Sequence, residues 1–163
     1  MRYLGIDPGT HRTGWAVIET NQGFHRLLAY GCFETQPNSA LPHRLQLIYE
    51  HIRSVCQQYH PDHSTVEELF FATNAKTAMA VSAARGVVLL ALEQSGLPIR
   101  SLTPLQVKQA ITGFGKADKT QVQAMVKAIL HLKDVPKPDD AADAVALALI
   151  SANGGLGSVK MLS

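Results

Sequence analysis

Two aspartates near the end of the chain carry the clearest chemical signal. Asp140 and Asp143 have D-x-x-D spacing, which on a helix places both carboxylates on one face, about one turn apart. The predicted helix begins at Pro138, and acids near a helix N-terminus interact favourably with the helix dipole. A role in capping the helix N-terminus is therefore enough to explain Asp139. Asp143 precedes the apolar run AVALALI, so its face leads toward the core and capping explains it less well.

Further carboxylates occur in or after predicted strands. Asp7 ends the apolar run RYLGID before a Pro-Gly turn, where a lone Asp is often only a turn former. Glu67 and Glu68 lie in HSTVEELFF, which we predict to be a strand over 63–71 with one Glu on each face. A carboxylate in such a strand calls for an explanation, because burying an unpaired charge costs free energy. The periodicity does not choose between the two glutamates.

These acids could converge at one end of a sheet. Carboxylates brought together repel each other, and hard cations such as Mg²⁺, which prefer oxygen ligands, relieve that repulsion. Two such ions about 3.5–4 Å apart can activate water and stabilise the leaving oxygen of a phosphodiester. The residues alone therefore favour metal-dependent hydrolysis of a phosphodiester.

Charge is scarce and segregated along the chain. Charged residues make up 17% of the chain against a usual ~25%, and 15 Lys and Arg against 13 Asp and Glu leave a net charge of +2. Residues 101–133 hold five Lys and one Asp, whereas residues 134–150 hold four Asp and one Lys. This pattern suits an enzyme that grips phosphates with Lys and holds cations with carboxylates. A solvated helix face explains the lysines equally well.

The pattern of apolar residues predicts an α/β domain. Strands over 2–7, 13–19 and 24–34 with short turns predict an antiparallel meander. The elements that follow are a helix over 41–59, the strand over 63–71, a helix over 74–94, a strand over 98–102, and helices opening at Thr103-Pro104 and spanning 117–132 and 138–152. The helix over 74–94 is apolar on nearly every face, so one side must pack on a partner. This predicts a homodimer.

Length and composition exclude several classes of protein. The 163 residues, 46% of them hydrophobic, predict one domain over 1–152 and a flexible tail over 153–163. A disordered polar chain is excluded by this hydrophobicity, and a membrane protein by the shortness of the apolar runs. Cys32 and Cys56 form no CxxC pair, and the N-terminus has no apolar signal region, so we expect a reducing, cytoplasmic location.

The chain resembles the RuvC family of bacterial Holliday junction resolvases, which are crossover junction endodeoxyribonucleases of the ribonuclease H-like superfamily. The resemblance covers nearly the whole chain and rests on the segments GIDPGTHRTGWAVI (5–18), VEELFF (66–71), NAKTAMAVSAARGVV (74–88), QVKQAITGFGKADKTQVQAMV (106–126) and DDAADAVALAL (139–149). It implies a ribonuclease H-like fold with a five-stranded mixed sheet flanked by helices on both sides.

The resemblance also implies the roles of individual residues. It assigns catalytic, metal-binding roles to Asp7, Glu67, Asp140 and Asp143, and so selects Glu67 over Glu68. The implied cofactor is Mg²⁺, with Mn²⁺ able to substitute and two ions per active site. Lys108 and Lys119 match lysines that contact DNA near the scissile phosphate, and Phe70 matches an aromatic residue that stacks near the exchange point of the junction.

The implied activity is paired, symmetric nicking of a four-way DNA junction in recombination and repair, leaving a 5′ phosphate and a 3′ hydroxyl. The implied partners are a second copy of the chain, as a homodimer, and a branch-migration helicase complex. The main alternative is a related ribonuclease H-like nuclease acting on RNA or another branched nucleic acid. Two others are a phosphotransferase of the actin and sugar-kinase type, whose phosphate loop is similar to DPGTHRTG, and a junction-binding protein without activity. Neither accounts for the full set of carboxylates.

Overall fold

The computed structural model describes residues 1–68 and 75–154, with side chains for all of these except residues 75–77. The elements follow in the order β1 (Arg2–Asp7), β2 (Arg12–Asn21), β3 (Phe24–Glu34), α1 (Leu41–Tyr59), β4 (His63–Glu67), α2 (Ala75–Glu93), β5 (Ile99–Leu102), α3 (Pro104–Thr112), α4 (Lys119–Ile129) and α5 (Asp139–Ala152).

One mixed sheet of five strands forms the centre of the described fold, in the order β3-β2-β1-β4-β5. The first three strands form the predicted antiparallel meander. β4 adds parallel to β1, and β5 adds parallel to β4. β1 is therefore the central strand, and its carboxyl end lies beside that of β4.

Helices cover both faces of the sheet. On one face, α1 and α2 pack against Leu4, Ile6 and Val66. On the other face, α5 packs against β1 and β2, with α3 and α4 packed around α5. The predicted fold class, a five-stranded mixed sheet with helices on both sides, is confirmed.

Two glycines allow α5 to lie directly on the strands. A Cβ built on Gly5 of β1 would come within 2.1 Å of the carbonyl oxygen of Ala144, and one on Gly14 of β2 within 1.9 Å of the carbonyl oxygen of Asp140. Both neighbouring atoms belong to the α5 backbone, so they cannot move aside as a side-chain tip would. The absence of a Cβ at these positions therefore sets the distance between α5 and the ends of β1 and β2.

Some predicted boundaries were wrong. The strand predicted over 63–71 ends at Glu67 within the described residues, so neither glutamate is in mid-strand. The helix predicted over 117–132 spans Lys119–Ile129, because the Asp118 side chain caps its first turn. The helix 41–59 and the Thr103 cap with Pro104 at the first helical position were predicted correctly.

Residues 69–74 and 155–163 lie outside the described structure, and with them the start of the predicted helix over 74–94 and most of the predicted tail. No helix in the described ranges is long and apolar enough to cross a membrane.

We expect Gly5→Ala to cost about 3 kcal/mol or more of unfolding free energy, because the added Cβ meets α5 backbone in a packed core. Gly115→Ala is the matched control. There the nearest atom is Cδ1 of Leu105, at 2.9 Å, on a side chain that is 60% exposed and free to turn away. Urea denaturation followed by circular dichroism measures both. Equal stability of the two variants would contradict close packing of α5 on β1.

Candidate active site

Asp7 and Glu67 lie side by side at the carboxyl ends of two parallel strands. Ile6 of β1 pairs with Val66 of β4, so the residue that follows on each strand lies at the same level. Leu4, Ile6 and Val66 point to the α1 and α2 side. Because side chains alternate along a strand, Asp7 and Glu67 point to the α5 side.

The same alternation separates Glu67 from Glu68. Glu67 is the last residue of β4 and is partly buried, whereas Glu68 follows the strand, is exposed, and donates its backbone N–H to the carbonyl of Leu102. The structure therefore brings Glu67, and not Glu68, to the same end of the sheet as Asp7.

α5 brings two more carboxylates to this end of the sheet. Asp140 and Asp143 lie in its first turns, and both contribute to the electrostatic environment of Asp7. The helix start is held there by the contact between Gly14 and the Asp140 backbone. The predicted convergence of a strand-end Asp, a strand Glu and a helical D-x-x-D pair at one end of the sheet is what the structure contains.

Asp7 and Glu67 are two largely buried acids beside each other, and this environment disfavours their charged forms. Burial, followed by the charges of Glu67, Asp143 and Asp140, raises the pKa of Asp7 from 3.8 to about 8. Burial and the charge of Asp143 raise the pKa of Glu67 from 4.5 to about 7, although a hydrogen bond from Asp7 opposes the rise. The Asp7 carboxyl is thus the proton donor to the Glu67 carboxylate near neutral pH.

Lys119, the first residue of α4, balances the charge on α5. Its Nζ lies 2.9 Å from Oδ2 of Asp143 and 3.4 Å from Oδ2 of Asp139. Burial raises the pKa of Asp143, while the hydrogen bond and charge of Lys119 oppose that rise. For Lys119, burial acts to lower the pKa, but its ion pairs with Asp143 and Asp139 outweigh burial and raise it.

Arg12 and Cys32 flank Asp140 on the side of the meander. The guanidinium of Arg12 is held by Glu34 across β2 and β3, with 3.0 Å between Nε and Oε1, and its Nη1 lies 3.8 Å from Oδ2 of Asp140. The Cys32 thiol points to the same carboxylate at 4.0 Å. Burial, then the charges of Asp140 and Glu34, raises the pKa of Cys32 to about 11, so this thiol stays protonated.

The acids of the site are thus each engaged with a neighbour. Asp7 is paired with Glu67, Asp143 with Lys119, and Asp140 with Arg12. Across residues 1–68 and 75–154, no three His, Cys, Asp or Glu side chains stand close enough together to hold one metal ion. The four carboxylates are nonetheless neighbours, since burial together with the charges of Glu67, Asp143 and Asp140 raises the pKa of Asp7.

The other predicted site residues fall in different places. Lys119 is at the carboxylate cluster, as described. Lys108 lies in α3 and is partly buried, on the helix that packs beside α4 and α5. Phe70 lies outside the described residues, so its predicted stacking role stays a prediction.

Two residues that support the site were missed in the sequence. Arg85 of α2 donates from Nε to the Glu67 carbonyl at 3.2 Å and from Nη2 to the Ser101 hydroxyl at 2.8 Å, which ties α2 to the ends of β4 and β5. The one arginine in a helix otherwise rich in Ala, Val and Leu was the signal for it.

Thr35, which is 3% exposed, binds the loop that follows Asp7. Its hydroxyl donates to the carbonyl of Thr10 and accepts from Nε of Arg44, and its backbone N–H donates to the carbonyl of His11. No sequence pattern distinguishes this threonine from an ordinary strand-end residue.

A sequence profile described as "Crossover junction endodeoxyribonuclease RuvC" matches residues 3–151. Curated proteins with that name are similar over most of their length. The one from Desulforamulus reducens is 50% identical over 152 residues, which is 93% of this chain and 93% of the relative. The one from Roseiflexus is 51% identical over 148 residues, covering 91% of this chain and 88% of the relative.

Solved structures give the same similarity in three dimensions. The chain matches T. thermophilus RuvC in complex with Holliday junction substrate with a TM-score of 0.92 and 36% identity, over 99% of both chains. Another Thermus thermophilus RuvC structure matches with a TM-score of 0.87 and 34% identity, over 99% of this chain and 100% of that one. Yeast mitochondrial Holliday junction resolvase Ydc2, at 16% identity and a TM-score of 0.67 over 90% of this chain and 75% of that one, shares the fold.

We expect Asp7→Asn to raise the stability of the protein at pH 7 in the presence of EDTA. The pKa of Asp7 is about 8 in the native state and 3.8 as an ordinary aspartate. At pH 7 the unfolded chain therefore releases a proton that the native state keeps, and this release favours unfolding. The gain should be on the order of 2–3 kcal/mol, or about 5–10 °C in Tm. It should shrink as the pH falls toward 4, where the wild-type carboxyl is protonated without penalty.

Thermal unfolding by circular dichroism at pH 7 and pH 4.5 measures this gain. Asp134→Asn, at an exposed carboxylate, is the control and should change stability by less than about 0.5 kcal/mol. A Tm for Asp7→Asn at or below that of the wild type at pH 7 would show that Asp7 is an ordinary turn residue.

Proposed function

The chain belongs to the RuvC family of crossover junction endodeoxyribonucleases, and we propose that it resolves four-way DNA junctions by paired, symmetric nicks in DNA recombination and repair. The observation that carries this proposal is the cluster of Asp7, Glu67, Asp140 and Asp143 at the end of the central strands. It is supported by the match over 99% of both chains to a relative whose structure contains a Holliday junction. Because Cys32 and Cys56 are both free thiols, we propose a cytoplasmic location.

The donor set fits a hard divalent cation. All four ligands that we propose are carboxylates, and Mg²⁺ and Mn²⁺ prefer such oxygen donors. Burial, together with the charges of neighbouring acids, raises the pKa values of Asp7 and Glu67, so a bound cation would stabilise their charged forms. We propose that Asp7, Glu67, Asp140 and Asp143 hold two Mg²⁺ ions, with Mn²⁺ able to substitute. When bound, such ions activate water and stabilise charge on the leaving oxygen.

The protein's own groups bind and orient the substrate. We propose that Lys108 and Lys119 contact phosphates beside the scissile bond, where their charge supports binding and depends on salt. Phe70 is proposed to stack on a base at the exchange point. The oxygen of a water molecule adds to the phosphorus and stays on the 5′ phosphate. The bond from phosphorus to the 3′ oxygen breaks, and that oxygen leaves with a proton as a 3′ hydroxyl.

Paired cutting requires two active sites related by symmetry, and an isologous homodimer supplies them. One face of α2 packs in the core through Ala84, Val88 and Ala91. The opposite face carries an exposed stripe at helical spacing, formed by Met79, Ser82, Gly86 and Leu90. Met79 is 77% exposed and Leu90 is 50% exposed, and Gly86 lets a second helix approach closely. We propose that this α2 stripe meets its copy in a dimer, and that the dimer works with a branch-migration helicase complex.

We expect the protein to cut a synthetic four-way junction with Mg²⁺ or Mn²⁺ about tenfold or more faster than linear duplex DNA or an RNA–DNA hybrid. Glu67→Gln should lower the rate about 100-fold or more, because it removes a proposed metal ligand. Glu68→Gln is the matched control. It changes the neighbouring, exposed glutamate in the same way and should cut at the wild-type rate. Faster cutting of the hybrid would favour the RNA-directed alternative, and equal cutting of all three would refute junction selectivity.

We expect Leu90→Arg to convert a dimer into a monomer in sedimentation and to abolish paired incision, because it places like charges at the α2 stripe. The side chain is half exposed, so the monomer should fold normally. Leu105→Arg is the matched control, since this leucine of α3 is 60% exposed and lies away from α2. A Leu90→Arg variant that remains a dimer, or a wild-type protein that sediments as a monomer at micromolar concentration, would contradict the proposed interface.

A further inference from the structure

Lys119 lies beside two of the acids in α5. Its ammonium contacts Oδ2 of Asp143 at 2.9 Å and Oδ2 of Asp139 at 3.4 Å. Asp143 is a proposed metal ligand, whereas Asp139 is 69% exposed and lies at the rim of the site. The lysine thus contacts one acid of the proposed metal site and one acid outside it. Its ammonium is a cation, supplied by the protein, that neutralises part of their charge.

The backbone of Lys119 is fixed while its side chain is free to turn. It is the first residue of α4, and that helix start is locked by a capping box in which the Asp118 side chain accepts from the Gln121 N–H and the Gln121 side chain accepts from the Asp118 N–H. The Lys119 side chain is 49% exposed. Its Nζ can therefore leave Asp143 for a partner on the solvent side without any movement of the helix.

A divalent cation and an ammonium cannot share Asp143 without cost. A metal ion bound to the Asp143 carboxylate would place a charge of +2 beside the ammonium that now contacts Oδ2, and like charges at that separation repel strongly. Within the described residues no three acids are placed to hold one metal ion, and Asp143 is paired with Lys119. DNA phosphates provide the alternative partner for a lysine at this rim.

We infer that Lys119 is an internal counter-ion, which a divalent metal displaces from Asp143 and which then binds a phosphate of the DNA. Metal and DNA should therefore strengthen each other's binding, since each favours the outward position of the same ammonium, and such coupling is reciprocal. The inference rests on the proposed function, because it takes Asp143 as a metal ligand and DNA as the substrate. It adds that Lys119 opposes metal binding when no DNA is present.

Mn²⁺ affinity measured by calorimetry without DNA tests the first half. We expect Lys119→Met to bind Mn²⁺ about five- to tenfold more tightly than the wild type, because the competing ammonium is gone. Lys116→Met removes the same charge from an exposed lysine that makes no ion pair with any described carboxylate, so it reports the general effect of charge. It should change the affinity less than about twofold. Lys119→Gln should reproduce Lys119→Met, and thermal unfolding checks that each variant is folded.

The second half is tested with a nicked duplex carrying a 5′ phosphate, which is a product of the proposed reaction and so is not cut again. This DNA should tighten Mn²⁺ binding about fivefold or more in the wild type and in Lys116→Met. Lys119→Met should lose most of that gain.

Equal Mn²⁺ affinity of Lys119→Met and Lys116→Met would overturn the inference, and if the wild type still cuts four-way junctions the proposed function stands. Tighter Mn²⁺ binding by Lys119→Met in a protein that cuts no junction would keep the counter-ion role and refute the proposed substrate.

Discussion

Electrostatic repulsion among carboxylates held at one end of a sheet is the constraint on which the rest of this structure depends. Burial strengthens that repulsion, because Asp7 and Glu67 cannot be screened by water as exposed acids are. Three contacts reduce this repulsion. Asp7 donates a hydrogen bond to Glu67, Lys119 forms an ion pair with Asp143, and the guanidinium of Arg12 lies near Asp140. Such a cluster of acids lowers the stability of the folded state, and it is typical of functional sites, where acids with strongly shifted pKa values cluster.

The elements around the site can be understood as the means of keeping these acids together. Gly5 and Gly14 let the α5 backbone touch the strands, so the position of Asp140 is set by backbone contact. Arg85 ties α2 to the carbonyl of Glu67, and Thr35 ties the loop after Asp7 to the end of β3. The acids are therefore held in two ways, by contact between the strands and the α5 backbone and by side-chain hydrogen bonds to backbone carbonyls near Asp7 and Glu67.

Local patterns in the sequence predicted much of this arrangement. The meander, α1 and the capped start of α3 follow from alternation, helical spacing and the Thr103-Pro104 pair, which are short-range signals. The types and positions of the acids indicated that Asp7 and the D-x-x-D pair could converge at one end of the sheet. The choice of Glu67 over Glu68 needed either the family resemblance or the sheet itself. The reason is that periodicity gives opposite faces without saying which face meets α5.

What the sequence could not supply are contacts between residues distant in the chain. Lys119 and Asp143 are 24 positions apart, and nothing in either segment indicates that their side chains form an ion pair. The alternation of side chains along β1 also makes the site sensitive to the length of this strand. Leu4 and Ile6 enter one core while Gly5 and Asp7 face the other side, so deletion of a single residue here would carry Asp7 to the wrong side of the sheet. A change in the length of β1 is therefore far more damaging to the site than the exchange of one apolar side chain of β1 for another.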